Sequence, residues 1–286
     1  MSRPIACEHG QGTIAADTQP VLDYGWWASN GPTAGYLMRL AADATAERCP
    51  EQGPVLRIDL DVARLAAAAR YVLTVGSDIG TSRIGHVLVG FQQGGPFAVA
   101  SVLTGVGSSR SAVGDVTPPA ALPPEAYPAM ATPSASLPPV TGRFVYRPTT
   151  DLDGREPRRG WDVVWLTPTD PRLARRGLVA SVIDSWFPAH YMRAVRDHLR
   201  TGRPLEQPAP TVLVAASVSF TASDPDYDRA RHLLLANQLT STADGHYFER
   251  SEVWSDGGAL LATAELVRRS NQGLGTGADP SEEQPL

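Results

Sequence analysis

The segment that most constrains this sequence is 177–188, which reads G-L-V-A-S-V-I-D-S-W-F-P. Its apolar side chains would cover most of the circumference of a helix, which is typical of a helix that is buried on all sides. One carboxylate, Asp184, lies within the apolar run. Because a carboxylate is rarely buried without a partner or a function, the segment predicts a central helix with one acid facing a cavity.

A comparable unit precedes it in the chain. Residues 24–47 predict a helix with Ser29 or Asn30 as its N-cap and Pro32 in its first turn. The segments 55–62, 70–79, 84–92 and 97–106 then predict four strands, with a turn at 93–95.

The same order recurs after residue 140. A strand is predicted at 161–166 and helices at 173–187 and 189–200. Four more strands are predicted at 212–221, 232–239, 246–254 and 259–267, and Asp256-Gly257 is predicted as the last hairpin turn. Consecutive strands with short turns predict antiparallel sheets, and one apolar helix per sheet predicts that each sheet curls around its helix. The fold class is therefore α+β, built from two such units in tandem.

The domain boundaries follow from composition. Residues 115–140 are rich in proline, which cannot join the interior of a sheet and favours extended geometry. We therefore predict a first unit at 1–114, a connector at 115–140, a second unit at 141–270 and a disordered polar tail at 271–286.

Composition excludes several kinds of chemistry. The sequence contains no lysine, so all 25 basic residues are arginine, which excludes Schiff-base lysine catalysis and a P-loop lysine. A net charge of −5 with scattered arginines predicts no nucleic-acid partner. Cys7 and Cys49 have no metal-ligand spacing, so we predict free thiols and no metal. The sequence has neither a signal-peptide core nor an apolar run long enough for a membrane span, which favours the cytoplasm.

Four segments resemble the double-hotdog, type II acyl-CoA thioesterase-like family, and together they extend the resemblance over nearly all of residues 20–270. They read G-W-W-A-S-N-G-P-T-A-G-Y-L, T-S-R-I-G-H-V-L-V-G-F-Q-Q-G-G-P-F-A-V-A-S, L-V-A-S-V-I-D-S-W-F-P and D-G-H-Y-F-E-R-S-E-V-W-S-D-G-G-A-L-L-A-T. The resemblance implies tandem hotdog units and hydrolysis of an acyl thioester carried by CoA or an acyl carrier protein, without a cofactor. Because sheet edges need pairing or covering, we also expect a homodimer.

The family's enzymes arrange an Asp, a Gln and a Thr or Ser around one water. By resemblance Asp184 falls on the Asp position. Thr211 lies near the Thr position but two places out of register, and Leu213 is the in-register residue. The Gln position falls on Leu266, with Glu265 beside it. The resemblance therefore implies Asp184, with Thr211 and Glu265 as the further catalytic candidates.

The residues suggest how such a site would work. A carboxylate can accept the proton of an attacking water, and the helix start near Gly35 could hold the developing negative charge on backbone N–H groups. Trp26, Trp27 and Trp186 are the predicted substrate contacts.

For each of these residues a purely structural role stays open. Asp184 would then pair with a core arginine, Thr211 would only favour a strand, Glu265 would face solvent and the tryptophans would belong to the core. Two other functions also stay open: a dehydratase, cyclase or acyl-transfer enzyme on the same scaffold, or a non-catalytic acyl- or lipid-binding protein.

Overall fold

A computed structural model gives the structure of the protein. It describes residues 22–28, 31–48, 50, 53–62, 72–78, 84–91, 95–105, 116–130, 137–149, 157–170, 175–204, 210–222 and 224–270. Cys7, Cys49, the predicted N-caps Ser29 and Asn30, the turn at 93–94 and the predicted tail at 271–286 lie outside these residues.

In the part of the first half that the structure describes, one long helix and four strands of the main sheet are present. The helix α1 covers Ala34–Arg48, and a short ribbon of β1 (Trp27–Ala28) and β2 (Gly31–Pro32) precedes it. The strands are β3 (Val55–Val62), β4 (Val72–Asp78), β5 (Ile84–Phe91) and β6 (Gly95–Thr104). This order of elements confirms the predicted helix and four strands.

Among its described residues, the second half contains three α-helices and six strands. The helices are α2 (Arg175–Val182), α3 (Ala189–Thr201) and α4 (Asp224–Arg229). The strands are β7 (Phe144–Pro148), β8 (Asp162–Pro168), β9 (Thr211–Phe220), β10 (Leu233–Ala243), β11 (His246–Ser255) and β12 (Leu260–Ser270). The sequence predicted all of these except β7 and α4.

Within the described residues, the strands of both halves form one continuous antiparallel sheet of ten strands. Their order is β4-β5-β6-β3-β9-β12-β11-β10-β8-β7. The halves join where β3 pairs with β9, with Ile58 opposite Val218 and Leu60 opposite Ala216. The two predicted sheets are therefore continuous with each other, and the α+β class is confirmed.

The helices α1 and α2 pack against each other on the inner face of this sheet. A Cβ on Gly35 would lie 2.6 Å from the carbonyl oxygen of Ala180, and a Cβ on Gly177 would lie 2.6 Å from Asp43 Oδ1. The start of α1 therefore meets the end of α2, so the two helices run in opposite directions. A side chain at Gly35 would collide with the backbone of α2, whereas one at Gly177 would have to displace the side chains of Asp43 and Arg39.

The helix ends differ from the predicted ones. The N-cap of α1 is Thr33, whose Oγ1 accepts the N–H of Tyr36 at 3.2 Å, while Pro32 lies in β2. The helix α2 ends at Val182, so Asp184 lies in the turn that follows and not inside the helix.

The predicted proline-rich connector packs against the outer face of the second half. Val116, Ala121 and Tyr127 contact an apolar cluster on that face, and Trp165 Nε1 donates to the carbonyl oxygen of Leu122 at 2.9 Å. A cavity of about 520 Å³ lies between residues 116–120 and the arginines Arg158 and Arg250. The part of the connector at 116–130 therefore covers a sheet face, while the domain limits at 114, 140 and 270 stay predictions.

Candidate active site

The candidate site lies where the N-terminus of α1 meets the turn after α2. Asp184 Oδ2 accepts the backbone N–H of Ala34, the first residue of α1, at 2.9 Å. The first N–H groups of a helix have no acceptor within the helix, and they favour a negative charge. The fold thus uses one carboxylate, from the other half of the chain, to bind the start of α1.

The other oxygen of Asp184 pairs with Arg268 on β12. Arg268 Nη2 donates to Asp184 Oδ1, and both side chains are only 9% exposed. Arg268 Nε donates to Glu249 Oε2 on β11 at 2.8 Å, and His190 Nδ1 lies 3.3 Å from Glu249 Oε1. We call these four residues, Asp184, Arg268, Glu249 and His190, the charged chain.

The contacts within the charged chain keep Glu249 and Arg268 ionised although both are buried. Burial alone would raise the pKa of Glu249, but the charge of Arg268 and the hydrogen bonds from His190 and Arg268 outweigh it and lower that pKa to about 2. Burial would likewise lower the pKa of Arg268, and the carboxylates of Asp184 and Glu249 raise it instead. A buried arginine shared by two carboxylates therefore stays charged.

The strand pattern explains how these residues meet. Side chains alternate across a strand, so Arg268 shares the inner face of β12 with Leu266 and Ala264, which are both buried. Arg268 lies opposite Tyr247 on β11, whose ring stacks on His190 with centroids 4.3 Å apart. The sequence reasoning missed Arg268 and Glu249, although the alternation of β12 past Leu266 points to the inner face.

The structure does not bring Glu265 to this site. Glu265 is exposed on β12 and lies between the buried Ala264 and Leu266, so its side chain is on the opposite face from Arg268. The charge of Glu265 acts on Arg57 of that outer face. The prediction that Glu265 joins Asp184 is therefore corrected, and the reason is the period of two along a strand.

Thr211 lies at the end of β9 and does not take the in-register position. It is opposite Ser270, whereas Leu213 is opposite Arg268. The hydroxyl that the resemblance implies is thus replaced by an apolar side chain at the position nearest the charged chain.

Two of the predicted substrate contacts belong to the core. Trp26 is 2% exposed and stacks on Tyr36 with centroids 5.6 Å apart. Trp186 is 7% exposed, and its Nε1 donates to Asp162 Oδ2 at 2.6 Å. Neither ring is an open contact surface in this structure.

The other two predicted contacts, Gly35 and Trp27, lie at or near the start of α1. Gly35 lies in the first turn of α1, next to Ala34 and Asp184, and its missing side chain makes room for α2. Trp27 is half-buried, and its Nε1 is a buried donor without a hydrogen-bond acceptor among the described residues. Trp27 therefore has a buried donor that a ligand could satisfy.

No protein-family model and no curated protein matches this sequence. Solved structures are similar to it. A conserved protein of unknown function with a hot dog fold from Alicyclobacillus acidocaldarius is 20% identical, covers 90% of this chain and 95% of its own, and superposes with a TM-score of 0.72.

Two further similar structures carry names of enzymes. Acyl-CoA thioesterase II TesB2 from Mycobacterium marinum is 17% identical over 88% of this chain and 91% of its own, with a TM-score of 0.63. The dehydratase domain of RzxB from Pseudomonas fluorescens is 12% identical over 90% and 92%, with a TM-score of 0.54. At such identities the likeness shows the fold, and that fold is the hotdog, present twice in the chain.

Proposed function

We propose that this double-hotdog protein hydrolyses an acyl thioester, carried by CoA or an acyl carrier protein, and that Asp184 activates the water. The observation that carries the proposal is the bond between Asp184 and Ala34, because it brings a base beside the amides of a helix N-terminus. The similarity to the thioesterase of Mycobacterium marinum supports the same reaction class.

The two bonds of Asp184 leave it able to act on water. A carboxylate has about four lone-pair positions, and Ala34 and Arg268 each occupy one. A water bound to a remaining position would lose its proton to Asp184 as its oxygen attacks the thioester carbonyl carbon.

The rest of the reaction follows from the same arrangement. The N–H of Gly35, which has no acceptor within α1 because of its first-turn position, would stabilise the negative charge on the carbonyl oxygen. The carbon–sulfur bond then breaks, and the thiolate takes the proton back from Asp184. Trp27, with its unsatisfied Nε1, is the proposed contact to a hydrogen-bond acceptor of the bound substrate.

Arg268 has a positioning role in this mechanism. It holds the Asp184 carboxylate in one orientation and is itself held by Glu249. Leu213 cannot donate to the water as a Thr or Ser would. Among the described residues, Arg268 and the amides at the start of α1 are donors beside Asp184.

The experiment measures free thiol released from acyl-CoA substrates of several chain lengths by the purified protein. Asp184→Asn should lower kcat by about 10²- to 10⁴-fold, the usual contribution of a positioned general base. Asp256→Asn, in an exposed turn, is the matched control and should behave as the wild type. Equal release by Asp184→Asn and the wild type would remove Asp184 from the mechanism.

A second candidate is favoured by the ion pair of Asp184 with Arg268. A carboxylate held this way could serve structure alone, in a protein that binds an acyl thioester without cleaving it, or it could support dehydration, cyclisation or acyl transfer. The similar dehydratase domain from Pseudomonas fluorescens is consistent with the latter group. Thermal stabilisation by acyl-CoA without release of thiol would exclude hydrolysis and leave this candidate, and thiol released only when an acyl acceptor is added would indicate acyl transfer.

We further propose a homodimer in the cytoplasm. Within the described residues the sheet ends in β4 and β7, and sheet edges favour pairing with another strand. In the described part of the chain, no helix is long and apolar enough to span a membrane.

A further inference from the structure

A row of polar side chains crosses the inner face of the second half of the sheet. Asn237 on β10 lies directly opposite Asp162 on β8 and Ser251 on β11. We call Asp162, Asn237 and Ser251 the polar row. The residues two positions along these strands, Val164, Leu235 and Val253, belong to the main apolar core, so the polar row faces the same interior.

Two members of the polar row have unsatisfied oxygens. Asn237 is 6% exposed and Ser251 is 1% exposed, and neither Asn237 Oδ1 nor Ser251 Oγ has a hydrogen-bond partner among the described residues. Asp162, in contrast, accepts the Nε1–H of Trp186. Buried polar groups are nearly always hydrogen-bonded, so these two unsatisfied oxygens on facing residues indicate a partner outside the described residues, and a bound ligand would be such a partner.

The polar row lies on the face that carries the charged chain. Ser251 is two residues from Glu249 on β11, about 7 Å along a strand, and Glu249 is linked through Arg268 to Asp184. A ligand with its reactive carbonyl at Asp184 could therefore extend its far part along this face toward Asn237.

The chemistry of the two oxygens selects the group that would bind. Asn237 Oδ1 only accepts, so the ligand must donate to it, and Ser251 Oγ can donate or accept. A hydroxyl group satisfies both oxygens at once. A carboxylate cannot donate and would meet the negative charge of Glu249 nearby, and an alkyl chain would leave both oxygens unsatisfied.

We propose that the acyl group of the substrate carries a hydroxyl, which donates to Asn237 Oδ1 and accepts from Ser251 Oγ. The inference rests on the proposed thioester hydrolysis and names the class of acyl group that this site selects. A site built to bond a hydroxyl discriminates strongly against the analogue that lacks it, because its own polar atoms are then left unpaired.

The test compares kcat/KM for hydroxyacyl-CoA thioesters, with the hydroxyl at different carbons, and for unsubstituted acyl-CoA thioesters of equal length. The wild type should prefer one hydroxyacyl isomer by at least about tenfold. Ser251→Ala and Asn237→Leu should each remove most of that preference. Thr221→Val, which removes a hydroxyl bonded to the Leu260 carbonyl oxygen, should keep the preference.

The outcomes separate the two proposals. Cleavage of both thioester types at equal kcat/KM by the wild type and by Ser251→Ala would overturn the hydroxyl inference and leave hydrolysis standing, with water as the partner of the polar row. If no thioester is cleaved, the proposed hydrolysis is wrong. The hydroxyl inference is then tested by the binding of non-hydrolysable thioether analogues. Thermal stabilisation by the hydroxylated analogue above the alkyl one, lost in Ser251→Ala, would support it; equal stabilisation would overturn it.

Discussion

Asp184 and Ala34 are 150 residues apart in the sequence, and the carboxylate of one binds the backbone N–H of the other at 2.9 Å. The helix of the first half therefore begins at a side chain of the second half. This bond, together with the β3–β9 pairing, couples the two halves at the candidate site, so changes at Asp184 should affect stability as well as turnover.

Removal of the Asp184 carboxylate should destabilise the fold. Asp184→Ala deprives Ala34 of its acceptor and Arg268 of one of its two carboxylates, and breaking one side of a buried pair costs about 3–5 kcal/mol. Asp184→Asn keeps an oxygen that can accept the N–H of Ala34, so its free energy of unfolding should fall by less. Urea unfolding at pH 7 measures both variants. Equal stability of the two variants would mean that the bond to Ala34 contributes nothing measurable.

Because α1 and α2 approach each other closely, a methyl group added at position 35 should destabilise the fold. Gly35→Ala would place a Cβ 2.6 Å from the carbonyl oxygen of Ala180, and overpacking of this kind typically costs about 1–3 kcal/mol. Gly142→Ala is the matched control, because a Cβ there meets nothing within 4 Å. Thermal unfolding should show a lower Tm for Gly35→Ala and no decrease for Gly142→Ala; a similar Tm in both would contradict the helix packing.

The low pKa of Glu249 predicts an acid-dependent contribution to stability. Burial opposes ionisation, yet Arg268 and His190 lower the pKa from 4.5 to about 2. A carboxyl with a depressed folded-state pKa stabilises the fold above its unfolded pKa, and this stabilisation is lost as the pH falls toward the folded pKa.

Glu249→Gln should therefore be less stable than the wild type at pH 7, by about 3 kcal/mol. The difference should shrink between about pH 5 and pH 2, where the wild type takes up the proton. Chemical unfolding over this pH range provides the measurement. The control is Glu265→Gln, at an exposed position on β12, and its stability should follow the wild-type curve at every pH. If the difference in unfolding free energy between Glu249→Gln and the wild type stays constant over this pH range, the low pKa of Glu249 does not stabilise the fold.

The order of helices and strands could be predicted from the sequence because it depends on local periodicity. Strands β9 to β12 were predicted to within a few residues, since each has a buried face and ends near a turn. The N-cap of α1 was predicted wrongly, because Pro32 is paired in β2 and only that pairing decides whether Thr33 or an earlier residue begins the helix.

The sequence left open that Asp184 pairs with a core arginine, and Arg268 is that arginine, but the residues of the charged chain could not be identified because its bonds join segments that are distant in sequence. The predicted last strand stopped at Val267, one residue before Arg268, whereas β12 continues to Ser270. Glu249 lies on a strand with charged residues on both faces, so alternation alone does not show that its carboxylate is buried. The partner of Asp184 depends on the register between β11 and β12, which no local pattern specifies.

The last prediction concerns the side chain at position 268. The guanidinium of Arg268 holds Asp184 and is held by Glu249, so its substitution should reduce thiol release by disturbing the base. An amide can still donate to Asp184 whereas a thioether cannot, and the expected order of kcat is therefore wild type, then Arg268→Gln, then Arg268→Met. Glu265→Gln and Thr211→Val should remain close to the wild type. Circular dichroism at the assay temperature checks that each variant is folded, and a folded Arg268→Met as active as Arg268→Gln would show that Arg268 does not position Asp184 by hydrogen bonding.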